Sequence, residues 1–423
     1  MKLFDRMRKY KPTEYSRFHT PGHIGRAPSL SPFAPVLQYD VSEVMDFDSI
    51  YHAKGTLKEL EKRVAALFGA KKSLLSAGGC TLAIQTMLAL ACKPDTKLVA
   101  GRNAHTSFIN TCALLDLNPN WIYPENNRIM TKDVEKALKQ GAEVVYITSP
   151  DYFGRIADIE RIAGLCHRYG AVLLVDNAHG SHLKFMKKDL HPITLGADMS
   201  ACSLHKTLPV LTGGAVLNIN NAKFVKNAKE KMALFGSTSP SYLTLASIEM
   251  CIDYLETKPN FGESRAEKIK HYAKKIGLDM PSGECDPMRL AVYGRNVELF
   301  EKNGAICEYA DGEWIVFILT PFHDDKDIRR IKAGLDALQK QKESRAMPPV
   351  AMSPPKRGMR PSAAVFAPSV EVGVENAAGR IAAANVTLCP PGIPIVIPGE
   401  IIDKNAIELM KKQGIDKIKV VKI

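Results

Sequence analysis

Lys206 lies in the run Ser203-Leu204-His205-Lys206-Thr207, with Gly213-Gly214 a short way downstream. Upstream, the apolar run Ala171-Val172-Leu173-Leu174-Val175 ends in Asp176, and His179 and Gly180 follow. A lysine amine can form a Schiff base with an aldehyde, and a carboxylate can keep a pyridine nitrogen protonated. Small polar groups beside the lysine, here Ser203 and His205, can donate hydrogen bonds to a phosphate. Together these are the requirements of a pyridoxal 5'-phosphate (PLP) site. The lysine must present a neutral amine, which a partly desolvated setting favours. Taken singly, Lys206 reads equally well as a loop lysine and Asp176 as a turn cap. Their combination and order favour the cofactor.

Two further groups fit the same chemistry. The turn Ala77-Gly78-Gly79-Cys80-Thr81 opens a helical stretch, and the free backbone N–H groups of a helix N-terminus bind anions. This nominates Gly79, Cys80 and Thr81 for the phosphate. After the next strand comes Arg102-Asn103-Ala104-His105, where an imidazole could stack on a flat ring. No C-x-x-C pair or comparable cluster suggests a metal site.

The elements that must position these residues can be read from periodicity. Leu57, Leu60, Val64, Leu67 and Phe68 recur at helical spacing and stop at Gly69, and a second helical segment runs from about Leu82 to Ala91. Leu98-Val99-Ala100 and Glu143–Thr148 read as strands. Asp158 caps a helix whose Ile159, Ile162, Ala163 and Cys166 share a face, and the strand ending at Asp176 follows. Such alternation predicts an α/β fold with a mostly parallel sheet covered by helices on both faces, whose ligands gather at the carboxyl ends of strands. Asp176, Ser149-Pro150 and the Gly78-Gly79 turn all fall at such ends. A Pro- and Gly-rich arm is expected over residues 1–50, a large domain over 51–257 and a smaller α/β domain over 258–423. The large domain ends near a break at Pro259-Asn260-Phe261-Gly262. A sub-boundary near 345 is suggested by Pro348-Pro349 and Pro354-Pro355, and Glu313–Leu319 is the clearest later strand.

Composition narrows the class. The chain has 423 residues, 45% apolar and 24% charged, which describes a soluble globular protein of two or three domains. No apolar stretch is long enough to span a bilayer and the N-terminus lacks a signal-peptide core, so the expected location is the cytoplasm, away from membranes. Nine scattered cysteines fit reduced thiols there. The net charge of +12 raises nucleic acid as a partner. The basic residues are spread through stretches such as Lys223–Lys231, however, which read as solvated helix faces, and no nucleic acid is expected.

In this order the motifs resemble the Orn/Lys/Arg decarboxylase family of fold-type-I PLP enzymes. The resemblance covers nearly the whole chain. His19-Thr20-Pro21-Gly22-His23 resembles the family's H-x-P-G-H element, and Asp40-Val41-Ser42-Glu43 with Asp46 and Asp48 its acidic segment. Arg102–Ser107 resembles the block whose histidine stacks on the PLP ring, which implies that role for His105. Ser149-Pro150-Asp151-Tyr152-Phe153-Gly154 resembles S-P-T-Y-x-G. Asp176-Asn177-Ala178-His179-Gly180 resembles D-E-A-H-G, whose aspartate meets the pyridine nitrogen, and Ser203-Leu204-His205-Lys206 is similar to the Schiff-base motif. Asp286–Leu290 and the block from Pro390-Pro391-Gly392-Ile393-Pro394 to Pro398-Gly399-Glu400 resemble small-domain signatures. The chain departs from the family pattern at Ile24 (commonly lysine), Cys80 (serine), Asp151 (threonine), Asn177 (glutamate) and Gly213 (glutamine).

The resemblance implies a compact, biosynthetic-type decarboxylase that releases CO2 from a basic amino acid, arginine before lysine or ornithine, and feeds polyamine synthesis. Its catalytic set would be Lys206, Asp176, His105 and His179. Gly79, Cys80, Thr81, Ser203 and His205 would complete the cofactor contacts. Glu43 and Glu400 are candidates for recognising the substrate side chain. The arm carrying His19 and His23 has too few apolar residues to fold alone, and sites of this fold class lie at subunit interfaces, so a homodimer is expected. Two alternatives stay open: another fold-type-I reaction such as transamination, and a PLP-binding but inactive homologue.

Overall fold

The apolar spacing at Leu57, Leu60, Val64 and Phe68 becomes the helix Thr56–Phe68, with all four side chains buried. The computed structural model describes residues 2–9, 15–44, 47–125, 128–257, 263–341, 355–388 and 393–422. Asp46, the two expected breaks at 259–262 and 348–354, the sub-boundary near 345 and the Cys389-Pro390-Pro391-Gly392 part of the proline block lie outside the described residues. By spatial proximity the chain falls into two units. One comprises residues 1–91 with 174–261, the other 92–173 with 262–423.

Sheet strands occur in both units: β1 (Lys72–Ser76), β2 (Leu98–Gly101), β3 (Asn120–Ile122), β4 (Val144–Thr148), β5 (Val172–Asp176), β6 (Met199–Ser203) and β7 (Ala215–Ile219). In the first unit the order is β1-β7-β6-β5. Strands β5 and β6 are parallel, whereas β7 runs antiparallel to both β6 and β1. In the second unit the order is β4-β2-β3, all parallel. The expected mostly parallel sheet thus ends in an antiparallel edge. The reason is local: the segment 204–214 between β6 and β7 holds only the short helix Leu204–Thr207, whereas a parallel return needs a full crossover connection. Leu173, Leu174 and Val175 of β5 are wholly buried, each contributing roughly 1.5–3 kcal/mol of transfer free energy.

The amino-terminal arm is better ordered than its composition suggests. Leu3–Lys9 is helical and buries Leu3 and Met7. The N–H groups of Leu3 and Phe4 donate to the Glu249 carboxylate at 2.9 and 3.1 Å. A carboxylate from the distant helix Tyr242–Thr257 therefore satisfies the orphan donors of this helix end. Farther along, Arg17 donates to the carbonyls of Gln38 (2.7 Å) and Asp40 (3.2 Å). His23 Nδ1 accepts the Gly25 N–H at 3.0 Å, which leaves the proton on Nε2 to reach Asp40 at 3.1 Å.

In the second unit a smaller antiparallel sheet has the order β8 (Arg289–Tyr293), β10 (Trp314–Ile318), β9 (Tyr309–Ala310). Trp314–Ile318, the clearest late strand in the sequence, is its centre. Among the described residues Ile393–Val396 pairs only with Val386–Leu388, with Pro394 opposite Thr387. A two-stranded ribbon tolerates a proline that an interior strand would not. One basic stretch differs from expectation. Lys229 is mostly buried and bonds Glu61 at 2.8 Å and the Ile50 carbonyl at 3.0 Å, so this part of Lys223–Lys231 is a packing contact rather than a solvated face.

Replacing Glu249 with alanine should strip the cap from Leu3–Lys9 at a cost of about 1 kcal/mol. Amide hydrogen exchange should then accelerate across residues 3–9; unchanged protection there would show that Glu249 does not hold the helix.

Candidate active site

The register of β5 and β6 sets the centre of the site. Asp176, the last residue of β5, pairs with Ala201, and the Asn177 N–H donates to the Ala201 carbonyl at 2.8 Å. Strand β6 ends at Ser203, and the chain turns at once into Leu204–Thr207. Asp176 and Lys206 are thereby delivered to the same carboxyl edge of the sheet. Asp176 is 2% exposed, and one of its oxygens accepts the Ala178 N–H at 3.1 Å, which orients the carboxylate.

Lys206 Nζ lies 2.9 Å from His179 Nε2. An amine and an imidazole at this distance share one hydrogen bond, so a proton can pass between them. Sequence reasoning brought both residues to the site without foreseeing that they bond each other.

Gly79, Cys80 and Thr81 form the first turn of the helix Gly79–Ala91, which begins three residues before the sequence expectation. Gly79 has φ +69, and a Cβ there would meet no heavy atom within 4 Å. The Ser76 hydroxyl receives the Gly78 N–H at 3.1 Å and donates to the Gly79 carbonyl at 2.9 Å, fixing the turn. Burial pushes the Cys80 thiol well above its ordinary range. The charge of Asp176 acts the same way, while a hydrogen bond with Ser203 and the charge of Lys206 oppose it. Cys80 is thus a protonated, buried thiol among the very residues the motif nominates. His205 Nδ1 sits 3.0 Å from the Gly214 carbonyl, and Thr207 carries a buried hydroxyl with no hydrogen-bond partner among the described residues.

His105 lies in the second unit, as the cap of the helix Thr106–Leu114. Its Nδ1 accepts the Ser107 N–H at 3.1 Å, so that nitrogen carries no proton and the ring orientation is fixed. In the same unit Arg102 donates to the Pro394 carbonyl (2.9 Å), the Ile395 carbonyl (3.3 Å) and Glu400 (3.1 Å). The other Glu400 bond comes from the Ile397 N–H at 2.9 Å, and the side chain is buried. Glu400 is therefore committed to holding its own segment, which counts against it as a substrate-recognition residue. Asp151, the departure from S-P-T-Y-x-G, accepts the Phe153 and Arg155 N–H groups at 2.9 and 2.8 Å and pairs with the Arg155 guanidinium at 3.1 Å. The substitution ties the loop to itself.

Next to Asp176 lies a buried polar network that leaves no signal in residue spacing. Cys202 Sγ contacts Asn177 Oδ1 (3.4 Å), His191 Nε2 (3.4 Å), Ser200 Oγ (3.5 Å) and Asn218 Nδ2 (3.7 Å), and Asn218 in turn accepts from Ser73 at 2.6 Å. Burial raises the Cys202 thiol to about 12 and lowers His191 to about 3. Both are neutral at physiological pH.

The class of protein follows from sheet and site together: a fold-type-I large domain with a smaller carboxy-terminal domain. A chain of the Francisella novicida lysine decarboxylase has this fold, with TM-score 0.81 and 17% identity, covering 99% of this chain and 81% of that one. The Sphingomonas wittichii serine palmitoyltransferase has TM-score 0.57 and 16% identity, covering 67% and 76%. The profile of the Orn/Lys/Arg decarboxylase major domain matches residues 2–276, and that of the C-terminal domain matches 338–413. The chain belongs to the Orn/Lys/Arg decarboxylase family. It is 29% identical to an arginine decarboxylase of Bacillus anthracis, covering 97% of this chain and 92% of that protein. Among the described residues no helix is long and apolar enough to cross a membrane.

His191 provides a pH test of the buried network. Its pKa is depressed to about 3 in the folded protein, so below about pH 6.5 only the unfolded chain takes up its proton and stability falls as pH drops. Between pH 6.5 and 5 this contributes a slope approaching 1.4 kcal/mol per pH unit. In denaturant melts His191→Asn should remove that slope; an identical pH profile would mean that His191 is not held neutral.

Proposed function

We propose that this protein is a PLP-dependent decarboxylase of a basic amino acid, with arginine as the first substrate, then lysine or ornithine. The observation that carries the reading is the Lys206–His179 contact at 2.9 Å, on the sheet edge where β5 delivers Asp176. Family membership and the similarity to an arginine decarboxylase support the reaction and the order of substrates. The residues present also fit the cofactor: a lysine amine, an oriented carboxylate, an open helix start at Gly79 and an unpartnered Thr207 hydroxyl.

When bound, PLP supplies an electron sink for the pair released as CO2 leaves. Lys206 provides the amine that tethers it. Asp176 holds a proton on the pyridine nitrogen, with its carboxylate pre-oriented by the Ala178 N–H. His179 takes a proton from Lys206 Nζ or returns one, which lets the amine alternate between nucleophile and acid. The Lys206–His179 pair would return the proton to the substrate carbon after CO2 departs. Ser203, His205 and the Gly79–Thr81 turn would hold the phosphate, and the family resemblance assigns His105 to the ring.

The same reading takes the chain as an arm (1–50), a large domain (51–257) and a small domain (258–423). The two matching profiles, over residues 2–276 and 338–413, separate an earlier from a later part of the chain but run through the 50/51 and 257/258 boundaries. We place the enzyme in the cytoplasm, supplying amines to polyamine synthesis, on the strength of its scattered cysteines and its family. We also read it as a homodimer, because Phe18 and Phe33 of the arm are 97% and 60% exposed.

Borohydride treatment of the purified protein should abolish its visible absorption and fix the cofactor on Lys206; mass spectrometry finding the label on another lysine would refute the assignment. Incubation with each basic amino acid should release the matching amine, fastest from arginine, and formation of an oxo acid would indicate transamination.

Asp176→Asn keeps a hydrogen-bonding group but loses the charge that retains the pyridine proton. A loss of two to three kcal/mol of transition-state stabilisation slows turnover roughly 30- to 150-fold, with the cofactor still bound. Wild-type turnover would remove Asp176 from this role.

Deleting residues 1–30 should weaken both association and activity in sedimentation and turnover measurements. A fully active monomer after that deletion would rule out the dimer reading.

A further inference from the structure

The loop before β7 bonds both segments assigned to the cofactor phosphate. The Gly213 carbonyl accepts the N–H of Gly79, the first residue of its helix, at 2.8 Å. The next carbonyl, of Gly214, accepts the His205 N–H at 3.2 Å and lies 3.0 Å from His205 Nδ1. Successive carbonyls of one turn therefore hang the Gly79–Thr81 turn on one side and the Ser203–Lys206 segment on the other.

The backbone favours glycine at 213, and a side chain at 214 would displace a neighbour. Gly213 has φ +92, and a Cβ there would lie 3.2 Å from the Ala77 carbonyl oxygen. A Cβ on Gly214 would lie 2.3 Å from Val210 Cγ1. The departure from glutamine at position 213 is thus a backbone requirement of this loop.

The bond to Gly214 also decides which face of His205 is available. A carbonyl oxygen only accepts, so Nδ1 carries the hydrogen and is used up. Nε2 is the nitrogen left for a ligand, and it donates to an anion when the ring carries both protons.

We infer that Gly213 and Gly214 form a clasp that fixes the spacing of the two phosphate-holding segments and presents His205 through Nε2. The inference rests on the cofactor reading above and adds positioning residues to it. The clasp touches no reacting atom. It acts on the phosphate grip alone, so its loss lowers the affinity for PLP but spares that for pyridoxal, which has the same ring and aldehyde without the phosphate.

The test is a titration of the full-length protein, freed of cofactor, with PLP and with pyridoxal, followed by absorbance. Wild type should prefer PLP. In Gly213→Ala the preference should fall about tenfold, the equivalent of one charge-assisted hydrogen bond, with pyridoxal affinity unchanged. His205→Gln, which loses the Nδ1 tie without changing the loop backbone, should show the same selective loss and serves if Gly213→Ala does not fold. His205→Asn keeps a donor near the Nδ1 position but lacks Nε2, and should lose the preference as well. An unchanged preference, or equal losses for both ligands, overturns the clasp. A wild type that binds neither ligand overturns the cofactor reading itself and the clasp with it.

Discussion

The parallel pairing of β5 with β6 is the constraint from which the site follows. With Asp176 opposite Ala201, a carboxylate and a lysine far apart in the chain reach one edge of the sheet, on strands about 4.8 Å apart. Side chains alternate faces along a strand, so a one-residue slip would turn Asp176 to the opposite face. It would also break the Asn177 to Ala201 bond that continues the ladder past the strand end. The short return to β7 has a second consequence. By forcing an antiparallel edge it brings Gly213 and Gly214 back beside the start of the helix at Gly79.

The register is defended by the polar groups beneath it. Cys202, Asn177, His191, Ser200, Asn218 and Ser73 sit in a region with no solvent to bond, where an unmatched polar group costs about 1–3 kcal/mol. Each finds a partner only in the native register, so misregistered pairings are penalised more heavily than apolar contacts alone would penalise them. Asn177, at the position of a common family glutamate, fits this role: a neutral amide accepts from a thiol without burying a charge. The buried Arg102–Glu400 pair works by the same logic in the second unit. The two terminal nitrogens of Arg102 bond Glu400 and backbone carbonyls while its Nε stays buried without a partner among the described residues, and removing Glu400 would leave the charge stranded.

The departures from the family pattern acquire distinct physical meanings. Asp151 closes its loop onto Arg155 and two backbone N–H groups. Gly213 supplies a backbone conformation that a side chain would strain. Cys80 stays a neutral thiol because it is buried beside a carboxylate. At Ile24 the backbone has φ +48, and nothing in the structure explains why isoleucine stands there.

The sequence by itself determined the chemistry and the order of the elements. Lysine, aspartate and histidine are recognisable as candidates by residue type; helical apolar spacing marks Thr56–Phe68 and Ile159–Arg168, and short apolar runs buried on both faces mark Val144–Thr148 and Val172–Asp176. Tertiary structure alone decided three things: that Lys206 meets His179, that Glu249 caps the first helix, and that Cys202 and His191 share a network. These contacts join residues 11, 27 and some 246 positions apart, beyond the reach of helix or strand periodicity, so local spacing carries no information about them. It also decided the antiparallel edge and the commitment of Glu400 to Arg102. Whether a strand returns parallel, or a carboxylate is free, depends on what lies beside it in space.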